Sequence, residues 1–299
     1  MGNIKNKAAA SEITLFLLTI LWGCGFVVVK NTAASVSPSY LIFLRFSIAG
    51  VLLCAFFWKK LKRLNWFYIK WGLVLGLVNY IGFQFQTVGI SNTTAGKGAF
   101  LTSIYCIVVP FLYWFVKHIR PDFYNVSSAV ICIIGIGFLS LNDQFSINPG
   151  DALCLLCGLT SSLHIVLIGI LTEKCDAILL CITHLVATAV IACPVALFSG
   201  PFPVMNTDST LSILYLALVN TMISFILQMI CQKYTPPSKA ALLMSLESVF
   251  GTVAGIVFLQ EVLTPRISVG FLLIFIAVLI CETKPPFLRN FFLSRLNKT

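Results

Sequence analysis

Ten stretches of about 20 mostly apolar residues follow one another along this chain, and that succession constrains the fold more than any other feature. About 20 apolar residues in a helix cross a hydrocarbon core of roughly 30 Å. The stretches fall near residues 13–31, 38–58, 67–90, 97–117, 122–141, 151–172, 178–198, 211–232, 238–260 and 265–283. None shows the two-residue alternation of a barrel strand. The expected fold is therefore an all-α membrane protein of ten transmembrane helices. Turn chemistry separates the runs: Ser37-Pro38, Arg120-Pro121, Asn148-Pro149-Gly150, the 200–203 segment GPFP, and Pro236-Pro237. A chain that is 59% hydrophobic and 10% charged has too little polar surface for a soluble domain of 299 residues.

The basic residues set an orientation. With the N-terminus in the cytoplasm, sixteen Lys and Arg fall on the inner side and three, Lys30, Lys97 and Arg266, on the outer side. Such a bias is what the positive-inside rule requires, and it places both termini in the cytoplasm. The net charge of +10 thus follows topology, and no aromatic-basic stripe suits a nucleic acid. Arg45 stands apart, inside the second run. It reads first as a snorkelling side chain reaching the headgroups, and second as a partner for an anionic solute.

The start, MGNIKNKAAASE, is basic and precedes an apolar run, as in a signal peptide. The run 13–29 is longer than a typical signal core and holds Trp22 and Gly23, so it reads as a retained first span. Residues 1–12 then form a cytoplasmic N-terminus. The tail 284–299 is basic and aromatic, suited to the inner lipid interface or to solvent. The eleven cysteines lie mostly within apolar runs, where Cys packs as a small hydrophobe. Cys154 and Cys157 form a CxxC inside a span, with no clustered His or second CxxC to complete a metal site. No phosphate-cradling loop or metal cluster is present in the sequence, and no cofactor is expected.

One stretch organises the rest. Residues 235–266 read as a single membrane helix between Pro236-Pro237 and Pro265, with Glu247 midway. A carboxylate at that depth costs about 3 kcal/mol on insertion scales, which marks it as a functional candidate. The same stretch echoes the first half. TTAGKGAFLTSIY (93–105) and TPPSKAALLMSLE (235–247) share five of thirteen positions at an offset of 142, which sets Tyr105 opposite Glu247. Asn79 and Asn220, and Gln86 and Gln228, correspond at almost the same offset. Five helices per half is odd, so the second copy enters the membrane from the opposite side. The reading is two inverted five-helix repeats, 13–141 and 151–283, joined by an outer linker at 142–150, with solute bound near the midplane.

These residues resemble the drug/metabolite transporter superfamily, EamA type. The resemblance rests on Trp22-Gly23 with Phe26, on Arg45-Phe46 after Pro38, and on the run Gln86-Thr87-Val88-Gly89-Ile90 followed by Thr93, Thr94, Ala95, Ala99 and Phe100. In the second half it rests on Glu247-Ser248 and Gln260-Glu261, and it covers about residues 12–283. Two departures stand out. Ser248 replaces the usual Pro, leaving the kink of that helix open, and Lys117-His118 replaces a glutamate at the end of helix 4. The resemblance implies ten helices, two EamA repeats and transport of small metabolites, often export of amino acids or related compounds, in a multi-pass protein of the inner membrane.

Candidate solute contacts follow from spacing. Asn79, Phe83 and Gln86 share one face of helix 3, with Tyr80 beside them; Asn220, Ser224 and Gln228 share a face of helix 8. Either face serves equally as interhelical glue. Cys157, Ser161 and His164 align on helix 6, and His184 lies on helix 7. Glu247 and His164 are the proton-coupling candidates, forming a carboxylate–imidazole relay if they meet. Trp22, Tyr80, Phe83 and Tyr105 are candidate walls of an apolar pocket. The expected partners are a small-molecule solute and membrane lipid, with no nucleic acid; the oligomeric state is open, and a monomer is one of the options. The function expected is a secondary transporter working by alternating access, with broad drug or metabolite efflux, a membrane-embedded enzyme, or a sensor as the alternatives.

Overall fold

A computed structural model describes residues 2–118, 120–140 and 148–284. The expectations for the linker at 142–147 and the tail beyond Lys284 lie outside the described residues. Every regular element described is helical. In chain order these are α1 (Gly2–Thr32), α2 (Pro38–Phe56), α3 (Trp58–Leu61), α4 (Trp66–Ser91), α5 (Ala95–Thr102), α6 (Tyr105–Lys117) and α7 (Phe123–Ser140). The second half has α8 (Pro149–Thr172), α9 (Ala177–Phe198), α10 (Thr207–Tyr215), a π-helical segment (Leu216–Ile223), α11 (Ser224–Gln232), α12 (Pro237–Ser245), α13 (Glu247–Leu259) and α14 (Pro265–Thr283).

Among the described residues, eight helical stretches are long and apolar enough to cross a membrane, counting α5–α6, α10–α11 and α12–α13 as one each. Two shorter apolar helices, Phe123–Leu139 and Pro265–Ile280, belong to α7 and α14 and pack against each other at the periphery. Local chemistry starts the helices where the turn residues stand. Pro opens α2, α8, α12 and α14 at the first turn, where its missing N–H is harmless. Side chains of Asn65, Thr94, Asn148 and Thr264 accept the first free backbone N–H groups of α4, α5, α8 and α14.

Asp176 caps α9 in the same way. Its carboxylate accepts from the N–H of Ile178 and Leu179 and pairs with the Lys60 ammonium. Partial burial pushes this carboxyl up, but the Lys60 and backbone hydrogen bonds outweigh it and hold it below the ordinary value. A carboxyl held low in the folded state stabilises above its unfolded value, and that contribution is lost as pH falls through the folded one. Asp176→Ala is expected to cost about 1 kcal/mol at neutral pH. The deficit closes on acidification, and thermal unfolding of wild type and variant across pH measures both.

The two halves interleave. α4 packs against α8 and α9, α2 against α9, and α1 and α5 against α13. At the α4–α9 seam the backbones approach closely: a Cβ on Gly76 would lie 2.6 Å from Ala187 Cβ and 2.9 Å from Thr188 N. Small residues permit such contacts where lipid supplies no hydrophobic drive.

The single helix expected over residues 238–260 is broken. α12 ends at Ser245 and α13 begins at Glu247, with the N–H of Leu246 donating to Leu243 in a tightened turn. The first half breaks likewise at Ser103–Ile104, between α5 and α6. No proline stands at either break. Serine hydroxyls bond back to the preceding turn there: Ser103 to Ala99, Ser245 to Leu242 and Ser248 to Ser245. Such back-bonding competes with the backbone ladder and bends helices. α6 and α13 are both 13 residues long, begin 142 residues apart at Tyr105 and Glu247, and end in left-handed caps at His118 (φ 58°) and Gln260 (φ 53°).

Charged clasps join the elements at the two ends of the bundle. At the end where α1 finishes, Lys30 Nζ donates to the carbonyls of Ile90, Ser91 and Thr93 at 2.6–3.1 Å. Glu261 there accepts from the N–H of Ala95 and Gly96, and the fully buried Asp151 accepts from Thr93 Oγ1 and pairs with Lys97 at 3.4 Å. At the end where α1 begins, Lys239 pairs with Glu12 at 2.7 Å, both partly exposed. Lys97 and Lys239 are themselves 142 positions apart.

Candidate functional site

The breaks bring Tyr105 and Glu247 together at the starts of α6 and α13. The Tyr105 hydroxyl donates to Glu247 Oε1 at 3.0 Å, and both side chains are buried. They form part of the wall of a cavity between the halves, with about 750 Å³ of non-atom space including its mouth. Ten of the twelve residues singled out from the sequence line it: Trp22, Asn79, Phe83, Gln86, Tyr105, Ser161, His164, Asn220, Gln228 and Glu247.

Two do not. Tyr80 is one residue off the Asn79–Phe83–Gln86 face of α4 and packs in the core with α9 and α11. Ser224 leaves the expected face because the span over residues 211–232 is not a regular α-helix. The π-helical turn over Leu216–Ile223 advances the phase, and the Ser224 hydroxyl donates to Val219 O at 2.8 Å. The same wide turn lets Asn220 O accept from Trp22 Nε1 at 3.1 Å, while Asn220 Nδ2 donates to Leu21 O at 2.9 Å. α1 is thereby tied to the π segment. Asn79 serves both roles weighed for it, lining the cavity and donating to Thr188 Oγ1 at 3.2 Å.

The expected relay does not form by contact. His164 Nε2 lies 3.2 Å from Nε2 of His184, while the hydrogen bond at Glu247 comes from Tyr105. The two imidazoles share one proton in that bond, one nitrogen donating and the other accepting. Phe225 stands over the pair, with ring centroids 5.3 Å from His184 and 6.0 Å from His164. Nothing in the sequence pattern singled out Phe225, one of 25 phenylalanines.

Arg45 corrects the snorkelling reading. It is 1% exposed and borders the cavity rather than the headgroups. Its Nε donates to Thr221 Oγ1 at 2.8 Å and its Nη2 to Asn220 Oδ1 at 3.0 Å. Its guanidinium carbon lies 4.7 Å from the centre of the Phe83 ring. The signal that could have placed it was depth: Arg45 lies seven residues into α2, about 10 Å along the helix. Cys157 also borders the cavity, its Sγ 3.7 Å from Ser161 Oγ, and Cys154 is a buried free thiol. Among the described residues no cluster of three or more His, Cys, Asp or Glu could hold a metal ion.

A helical bundle with several apolar spans, enclosing between its two halves a cavity of mixed polar and apolar lining, defines a multi-pass membrane protein. The sequence profile of the EamA-like transporter family matches twice, over residues 10–141 and 148–282. The chain belongs to this family, and so to the drug/metabolite transporter superfamily. It is 34% identical over 278 residues to an uncharacterized transporter of Archaeoglobus fulgidus, covering 93% of this chain and 87% of that protein. An uncharacterized transporter of Synechocystis is 26% identical over 225 residues, 68% of each chain. A solved crystal structure superposes with a TM-score of 0.70 at 17% identity, over 92% of this chain and 98% of the other, and shows the same fold. Family and relatives make this protein a membrane transporter.

Proposed function

We propose that the protein is a secondary transporter that moves a small metabolite, an amino acid or related compound, out of the cell across the inner membrane by alternating access. In this reading it has ten spans in two inverted five-helix repeats, 13–141 and 151–283, with both termini cytoplasmic. The two peripheral apolar helices α7 and α14 are the fifth span of each repeat. The observation that carries the reading is the cavity at the seam of the halves, with Tyr105 and Glu247 meeting in its wall from equivalent positions. Solute sites of repeat-built transporters lie at such seams, beside discontinuous helices. Asn79, Gln86, Asn220 and Gln228 supply hydrogen bonds, Trp22 and Phe83 supply apolar wall, and Glu247 is the proton-coupling group. His164, paired with His184, is the second candidate for it.

The test is counterflow of a panel of labelled amino acids and metabolites into liposomes holding the purified protein. Ser161→Trp fills the cavity from α8 and is expected to cut counterflow at least about tenfold, the effect of losing one fitted contact of 1.4 kcal/mol. A Ser161→Trp protein that folds and carries every solute at the wild-type rate means that the cavity is not the route.

A further inference from the structure

The cavity contains a guanidinium whose counter-charge is missing. Among the described residues, Arg45 is the only Lys or Arg in the cavity wall, and Glu247 is the only Asp or Glu. Among the described residues no carboxylate lies within ion-pair distance of Arg45; its two partners, Thr221 and Asn220, are neutral. Glu247 is engaged instead by Tyr105. A buried cation left without an anion is costly, and folded proteins ordinarily supply the partner. Here the partners hold the Nε and Nη2 edge, Phe83 covers a face, and Nη1 donates to no group among the described residues. Arg45 is among the residues that line the cavity.

We propose that Arg45 is the anion receptor of the cavity, and that the transported solute carries a carboxylate which it pairs with there. Guanidinium is the side chain best shaped for this task, since its planar fork presents parallel N–H groups to two oxygens. Thr221 and Asn220 fix the plane of the fork from the π-helical segment, and Phe83 fixes its tilt. A solute without an oxyanion leaves the cation unmatched and is rejected, as sites built around a buried polar group reject analogues that lack the complement. The remaining wall, with Trp22, Phe225 and Met244, suits an apolar body attached to that carboxylate. The proposal rests on the cavity being the solute site.

Thermal unfolding of the purified full-length protein is followed with matched probes: benzoate and benzamide, octanoate and octanamide, phenylalanine and phenylalaninamide. At least one carboxylate is expected to stabilise the wild type while its amide does not. Thr221→Asp places a carboxylate where Thr221 Oγ1 now accepts from Arg45, so it supplies the missing anion from within. That variant is expected to unfold at a higher temperature and to lose its response to carboxylates. Arg45→Lys keeps the charge but not the fork, and is expected to bind the same carboxylate about tenfold more weakly, a factor equal to 1.4 kcal/mol. The proposal is overturned if no carboxylate is preferred over its amide, or if both folded variants respond as wild type does. Counterflow separates this from failure of the cavity reading. A Ser161→Trp protein that transports normally defeats that reading. One that is blocked while Thr221→Asp still carries carboxylates defeats the role of Arg45 alone.

Discussion

Glu247→Gln is expected to remove the part of transport driven by a pH gradient while leaving counterflow at equal pH within about threefold of wild type, a change below 1 kcal/mol. The substitution is nearly isosteric, and a Gln oxygen still accepts from the Tyr105 hydroxyl, which now lies 3.0 Å from Oε1. The bond joining α6 to α13 therefore survives, and what is lost is the group able to gain and release a proton. A loss of at least about tenfold in the gradient-driven rate is expected if each cycle needs that proton. Tyr105→Phe is the companion: it keeps the carboxyl but leaves it without its hydroxyl donor, so both modes of transport change. Flux in liposomes with and without an imposed pH difference reads both. If Glu247→Gln transports as wild type both with and without the imposed pH difference, the carboxyl is a structural tie between the half-helices, and coupling passes to His164 or is absent.

Gly76→Leu is expected to lower stability by about 3 kcal/mol or to prevent folding, the upper range for overpacking a fitted interior. The first added carbon would sit 2.6 Å from Ala187 Cβ and 2.9 Å from the Thr188 backbone nitrogen. Backbone cannot rotate away, so α4 and α9 must separate. Separation also breaks the bond from Thr188 Oγ1 to Gly76 O and strains the one from Asn79 to Thr188. The damage therefore reaches the cavity wall through Asn79. Leu77→Ala, at a half-exposed position on the same helix, is the control and is expected to shift stability by less than about 1 kcal/mol. Thermal unfolding in detergent, read beside counterflow, compares the two.

Much of this arrangement was legible in the sequence because it depends on local pattern. The apolar runs gave the helices, and Pro38, Pro149, Pro237 and Pro265 stand at the first turns where they were expected. Tyr105 and Glu247 were paired by the 142-residue offset alone, and they touch. The cavity face of α4 followed from the i, i+3/i+4 spacing of Asn79, Phe83 and Gln86. What escaped depends on tertiary partners. Serine back-bonding breaks α12 from α13 where no proline announces it. The π segment moves Ser224 off its expected face, and no composition rule marks such a turn. Arg45 read as a snorkelling side chain because its partners, Thr221 and Asn220, lie some 175 residues away. His164 likewise met His184 rather than Glu247, a choice that helix spacing cannot make.

The clasps at the two ends of the bundle have a thermodynamic consequence. A duplicated scaffold with identical seals would face either side of the membrane half of the time. Here one end is closed by Lys30 on three carbonyls, by Glu261 on two backbone N–H groups and by the fully buried Asp151; the other has four ion pairs, Lys239–Glu12, Lys60–Asp176, Lys117–Glu173 and Lys284–Asp122, all of them partly exposed. Under the proposed exchange between orientations, opening the first end breaks hydrogen bonds around a buried carboxylate, while the second end loses exposed ion pairs worth little each, so the first forfeits more. The empty carrier then waits mostly in one orientation, and each 1.4 kcal/mol of inequality shifts that waiting ratio about tenfold. Solute binding must work against this bias before a cycle can finish, so the seals set the pace as well as the resting direction.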